Sequence, residues 1–429
     1  MKQLIFTTCL ALFLVACGGG SDQSSTSQAI PATVLKANVS PDPTLVEGAI
    51  SVVNTTTAEH QSFRAVGALE DGGYTVAWTS YPATGLFIQR YDALGRKTGV
   101  ETAIPLASDI VLESMAVLRD GGIVVAYKRT DATSSTVFIQ RFDASGIPVL
   151  PETRVFSEST YLYTLERFKV LALADGGFVV AFLRVERPVY LEIISRVFIR
   201  RYDSQGQPVG MVVSDEERWL TYTLAADARG GYTVSLAWQY WFNVTQQLFS
   251  VLRYDANQVA HQLVSAQPGT VLALALEGDR SVLFTQGATG SFLQLRDSAG
   301  NPVGAPTAIA SMPFEAKELA DGTFVAFWNT AGTITAQRYD STGAPLGDVL
   351  TIATGGGAVP QVVALADGGF AAAWSAPNAA ADQDVFTQAF LELPGSDRAA
   401  LRLKRKACLE SARGMVGQER KAFMDACLQ

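Results

Sequence analysis

ALADGGFVVAF at residues 172–182 and VFIRRYDSQGQPVG at residues 197–210 are the two phrases on which the fold turns. In the first, Asp175-Gly176 separates two apolar runs, a strong hairpin signal because both residue types tolerate positive φ. The second holds a Tyr-Asp turn. In its copy YDSTG, residues 339–343, the Asp can bond its own backbone and the Gly takes the left-handed position. Each phrase is therefore a hairpin, and the pair encodes four strands, a to d. Strand b, GFVVAF, is apolar at every position instead of at alternate ones. A strand reads that way when both of its faces are covered.

Copies recur on either side. Asp-Gly turns stand at Asp71, Asp120, Asp175, Asp321 and Asp367, with degenerate copies at Arg229-Gly230-Gly231 and around Gly278-Asp279. These seven are 43 to 55 residues apart. The second phrase follows at Asp92, Asp143, Asp203, Asp255, Asp297 and Asp340. Four short strands at that period predict an all-β, seven-bladed β-propeller over residues 44–395, each strand b enclosed by neighbouring blades. Seven positions past the turn Asp stand Trp78, Tyr127, Phe182, Trp328 and Trp374, expected to pack between blades. The seventh repeat stops after its third strand, near Leu393. An extra TLVEGAISVVN, residues 44–54, precedes the first and aligns with fourth strands such as APLGDVLTIAT from Ala344. This N-terminal strand is expected to complete the last blade, because an open array exposes strand edges. The DGGFVVAW…QRYDASG pattern resembles a repeat of large bacterial surface and secreted proteins of adhesin type. That resemblance implies an architecture and not an activity.

Both ends of the chain differ from this body. Lys2 and the apolar run from Leu4 to Ala16 fit a signal peptide, too short for a membrane span. The run ends Leu14-Val15-Ala16-Cys17, which resembles the lipobox of bacterial lipoproteins. The resemblance implies cleavage after residue 16 and lipid on Cys17. Gly18, in place of Asp, implies an outer-membrane address, on either its periplasmic or its outer side. Residues 17–43, small, polar and Pro-punctuated, read as a flexible tether reaching roughly 25–30 Å. With Cys9 and Cys17 so assigned, Cys408 and Cys427 remain, and outside the cytoplasm such a pair is expected to be oxidised. Residues 396–429 lose the β pattern and read as a small α-helical hairpin broken at Gly414 and Gly417. Cys408, Glu410, Gly417, Glu419, Arg420, Phe423 and Cys427 resemble the PsiF repeat of phosphate-starvation-inducible periplasmic proteins.

Function is less legible. A net charge of -8 argues against a nucleic-acid partner. Gly-rich phosphate loops, nucleophile elbows and Cys/His ligand spacing do not occur, so no catalytic residue, metal site or cofactor is assigned. The two histidines, His60 and His261, fall in different blades. A residue repeated in every blade serves the blade, which covers the turn aspartates and Arg90, Arg141 and Arg338. Function is sought where repeats differ. From the strand-b aromatic position to the Tyr-Asp turn, blades three and four measure 21 and 19 residues, against 12 to 16 elsewhere. The connection into blade three, SESTYLYTLERF, is also extended. All three insertions lie on the face formed by b–c and d–a connections. They and DEERWL on the same face put Tyr161, Tyr163, Arg184, Arg187, Tyr190, Trp219, Tyr240 and Trp241 forward as partner-binding residues. The reading is a non-enzymatic binding or scaffold lipoprotein, joined to the membrane by its lipid and offering this face to a protein or glycan. Its rivals are a glycan-active lyase or glycosidase on the same ring and an assembly scaffold for outer-membrane proteins.

Overall fold

The computed structural model describes residues 45–392, apart from 57, 59, 82–84, 107–109, 162, 187–193, 216, 219, 228, 241–242, 355–359 and 379–381, together with residues 407, 408, 411, 423, 426 and 427. All of them belong to the second of two compact units, Met1–Lys36 and Ala37–Gln429. The signal segment, the tether and Cys17 lie outside the described residues, as does most of the expected hairpin. The six described residues near the C-terminus are helical, and Cys408 and Cys427 form a disulfide with Cα atoms 5.9 Å apart.

The described strands form seven antiparallel sheets; five are four-stranded meanders in chain order, blade three carries an extra short strand, and blade seven takes its outer strand from the N-terminal segment. Blade three shows why. Its strands are Tyr163–Ala172, Phe178–Glu186, Ile194–Tyr202 and Pro208–Val213. Strand b has no solvent face. Phe178, Val180 and Phe182 enter an apolar cluster shared with blade two, while Val179, Ala181 and Leu183 enter one shared with blade four. Seven such clusters occur among the described residues, one between each pair of neighbours, including blade seven with blade one. A ring of interfaces replaces a single core. The a strands touch one another in sequence around the ring and therefore surround its axis, with the d strands outermost.

The turns follow the expected chemistry with one refinement. Only the glycine after the turn Asp is left-handed, at φ 84° for Gly176. Asp175 stays right-handed, and its Oδ1 accepts the Gly177 N–H at 3.0 Å. Gly177 is required by proximity, since a Cβ there would sit 2.5 Å from the Tyr202 carbonyl oxygen. Next to the turn, the first residue of strand b stacks on its cross-strand partner in strand c: Tyr74 on Tyr91 at 4.8 Å, Phe178 on Tyr202 at 4.8 Å, Phe370 on Phe390 at 4.6 Å. The five aromatics seven past the turn pack between blades, Trp78, Tyr127, Phe182 and Trp374 fully and Trp328 in part.

The N-terminal strand closes the ring. Leu45–Glu47 and Ser51–Val52 both pair antiparallel with Gln383–Glu392, the third strand of blade seven. Asn54, 4% exposed, fastens the end of this segment. Its Nδ2 donates to Asp384 Oδ1 at 2.8 Å, and its Oδ1 accepts the Val385 N–H at 2.8 Å.

Candidate functional site at the mouth of the ring axis

The a–b and c–d turns gather on one face and are bound to each other. Strand-c arginines reach the turn carboxylates of their own blades: Arg90 with Asp71 at 2.6 Å, Arg253 with Asp227 at 3.0 Å, Arg338 with Asp321 at 2.8 Å, and likewise Arg141 with Asp120 and Arg201 with Asp175. Arg141 also donates to the Ser204 carbonyl and Arg201 to that of Gly230, each in the following blade. These repeated charges therefore serve the ring, as expected.

The opposite face differs. Two of its expected insertions are largely strand, and most of the third, residues 187–193 between strands b and c of blade three, lies outside the described residues. The connection into blade three is a short turn at Thr160-Tyr161 followed by the ten-residue strand Tyr163–Ala172. In blade four the extra residues lengthen strands b and c, Tyr232–Tyr240 and Asn243–Tyr254. Glu217–Arg218, in the stretch DEERWL, adds a short fifth strand to blade three by pairing with Ile194 and Ser195. Of the proposed binding residues, Tyr161 is 85% exposed. Tyr163 and Arg184 come together, with the guanidinium 4.4 Å above the Tyr163 ring. Arg184 also pairs with Glu158 of blade two at 3.3 Å, so it bridges blades as well as facing the surface. Arg187, Tyr190, Trp219 and Trp241 lie outside the described residues, as does the side chain of Tyr240. His60 begins strand a of blade one and His261 lies in strand d of blade four, both exposed. His60 Nε2 stands 3.9 Å from Asp382 Oδ1.

Where the axis opens on this face there is a cavity of about 340 Å³ between blades three, four and five. Arg167, Thr221, Thr223, Ser235, Trp238, Gln247 and Thr270 line it, with Tyr222 in its wall. The positions follow from the strand plan. Thr221 and Thr270 begin strands a of blades four and five, Trp238 is near the end of strand b, and Gln247 is near the start of strand c. Polar side chains gather here because a strand end at the axis has no neighbouring blade to cover it.

Arg167 is the unusual member. Its φ is +54°, and outside glycine only Gln258 and Ala331 share that sign among the described residues. For a long side chain this conformation costs on the order of 1–2 kcal/mol. A bulge between Glu166 and Lys169 produces it. The extra residues let Phe168 turn inward to the core between blades two and three, where it is 7% exposed. They also leave Arg167 and Lys169 both facing out. The Tyr222 hydroxyl holds the bulge by donating to the Arg167 carbonyl, and Arg167 Nη1 donates to Thr221 Oγ1 at 3.1 Å. Burial raises the Tyr222 pKa, so that hydroxyl keeps its proton. Lys169, two residues further along the strand, is exposed, yet desolvation by the surrounding protein pushes it below the usual ammonium range, with Glu315 opposing and Lys317 reinforcing the shift. Glu315 and Lys317 belong to blade six, so Lys169 senses charge from across the axis.

Nothing in the sequence singles out any of these lining residues. Arg167 lies inside SESTYLYTLERF, but the bulge that aims it has no composition signal. The threonines and serine look like ordinary strand residues.

No protein-family model matches the chain, and no curated protein matches it. Among solved structures, a protein of unknown function from Dyadobacter fermentans is 12% identical over 82% of this chain and 100% of its own, with a TM-score of 0.46. An oligogalacturonate lyase in complex with manganese is 11% identical over 82% of this chain and 94% of its own, TM-score 0.49. Prolyl oligopeptidase B from Galerina marginata is 12% identical over 74% of this chain, TM-score 0.49, and the match spans 47% of that enzyme.

Proposed function

We propose that this protein is a binding module, a lipoprotein held at the outer membrane through Cys17, whose propeller takes a glycan at the mouth of its axis. The observation that carries the reading is the cavity of about 340 Å³. It is concave, lined by several hydroxyls, an amide, a tryptophan and an arginine, and set on a rigid ring. Such a mixture of one aromatic surface with convergent polar groups suits a small polar ligand. Its described lining residues include no carboxylate, whereas glycoside hydrolysis by the usual route needs two facing each other. The exposed Tyr161 and the Tyr163–Arg184 pair on the same face offer further contact area for a longer chain.

The test is retention with product analysis. Purified protein is passed over immobilised oligosaccharides, and the same oligosaccharides are incubated with it and analysed by mass. Retention with every oligosaccharide intact is the expected result. Shortened or unsaturated products replace the binding reading with an enzymatic one.

A further inference from the structure

The proposed glycan site deepens once the charge around it is followed. We infer that the axial cavity selects an acidic sugar, and that Arg167 is the residue that reads its carboxylate; this rests on the reading of the cavity as a glycan site.

Three observations converge. First, the guanidinium has one described hydrogen bond, to the neutral Thr221 hydroxyl, and forms no ion pair among the described residues. The turn arginines are each matched by an aspartate. A guanidinium has five N–H donors in a planar fork that fits a carboxylate through two parallel bonds, so donors remain for a ligand. Second, the backbone is held in a left-handed conformation that puts this side chain at the cavity, and Tyr222 and Thr221 on the next blade fix it there. Strain retained at one polar position beside a cavity is characteristic of a binding residue. Third, Lys169 follows Arg167 on the same inner strand and also faces out, while Leu165 and Phe168 turn into the core. Blade three thus offers two cations to the axis. Glu315 and Lys317, paired with each other at 2.9 Å on blade six, stand opposite Lys169.

Hydroxyls of Thr221, Thr223, Ser235 and Thr270 and the Gln247 amide line the same cavity as the arginine, which matches the hydroxyl-rich ring that carries a uronic carboxylate. Arg167 would take the carboxylate, and the threonines and serine the ring hydroxyls.

The experiment uses the purified chain from Cys17→Ser, with a trisaccharide of glucuronic acid and its carboxyl-reduced counterpart as probes in calorimetric titration. The two probes differ only at C6, a carboxylate in one and a hydroxymethyl group in the other. Binding of the acidic trisaccharide at least tenfold tighter than the reduced one is expected, with the difference shrinking as salt is raised. Arg167→Asn tests the residue without threatening the fold, since Asn tolerates positive φ better than Arg. The variant should melt at or above the parent temperature and lose at least tenfold in affinity for the acidic probe, so that its preference over the reduced one disappears. Equal affinity for both probes, or an unaltered preference in Arg167→Asn, overturns the inference while leaving a glycan site in place. Binding of neither probe overturns it together with the glycan reading.

Discussion

The side chains of Asp321 and Arg338 are each 1% exposed, whereas Asp71 and Arg90 make the same contact at 56% and 41% exposure. One repeated ion pair thus occupies two dielectric settings within a single chain. Removing one partner of a buried pair leaves the other charge without compensation, at a cost of about 3–5 kcal/mol, while an exposed pair contributes about 0–1 kcal/mol. Asp321→Ala is therefore expected to lower the denaturation midpoint strongly and Asp71→Ala hardly at all; chemical denaturation of the two variants side by side checks this, and equal losses would refute it. Blade four reveals what a repeat alignment hides. Arg229 occupies the place of the turn aspartate, yet Asp227 supplies the missing carboxylate from two residues earlier. Its Oδ1 accepts Gly231 N–H at 2.8 Å, and its Oδ2 pairs with Arg253 at 3.0 Å. The sequence comparison marks a degenerate turn because it compares positions, whereas the hydrogen bond requires only that a carboxylate oxygen reach the same point. Arg167 is hidden for a similar reason: what distinguishes it is a backbone angle, and Arg has no preference for that angle.

At the scale of strands, the two hairpin phrases were enough to place every blade, because Asp-Gly turns and doubly apolar strands leave few alternatives. The b–c and d–a connections were less legible. Extra residues there are expected as loops, but in the connection into blade three and in blade four long strands absorb them, since length alone does not say whether a ladder continues. The stacked aromatics beside the turns lead to a pH prediction. Burial raises Tyr74, Tyr202 and Tyr339 from 10.0 to about 12 and lifts Tyr91 and Tyr232 as well. The folded chain keeps these protons where the unfolded chain releases them, so their stabilisation is complete below pH 10 and is lost as pH rises from 10 through about 12. Tyrosinate absorbance should consequently appear together with loss of the β signal in an alkaline titration; tyrosinate forming at pH 10 in chains that stay folded would contradict this. The closing strand gives a second prediction. Asn54→Ala strips Asp384 and the Val385 N–H of a buried partner, worth about 1–3 kcal/mol. Deleting residues 44–54 exposes the edge of Gln383–Glu392 altogether and should lower the melting temperature further still. An unchanged temperature in the deletion would show that closure contributes nothing.

For the molecule as a whole, the membrane address is a separate question from the ring. If lipid on Cys17 holds the protein, Cys17→Ser should move it from the membrane fraction to the soluble one and abolish palmitate labelling; labelling that survives the substitution would point to another attachment. The closed ring also has a consequence in time. Asn54 and Asp384 are 330 residues apart in the chain. At about 5–20 residues per second, the partner of the first-made strand is synthesised roughly 15–70 s after it. Each interface needs two adjacent blades, so earlier blades can associate in order as the chain lengthens, but the clasp has nothing to grip until the last strand exists. For that interval the growing chain is a curved stack with two sticky ends. Protection of those ends against pairing with other chains is then a requirement of biogenesis, fixed by the decision to lock the last blade with the first strand.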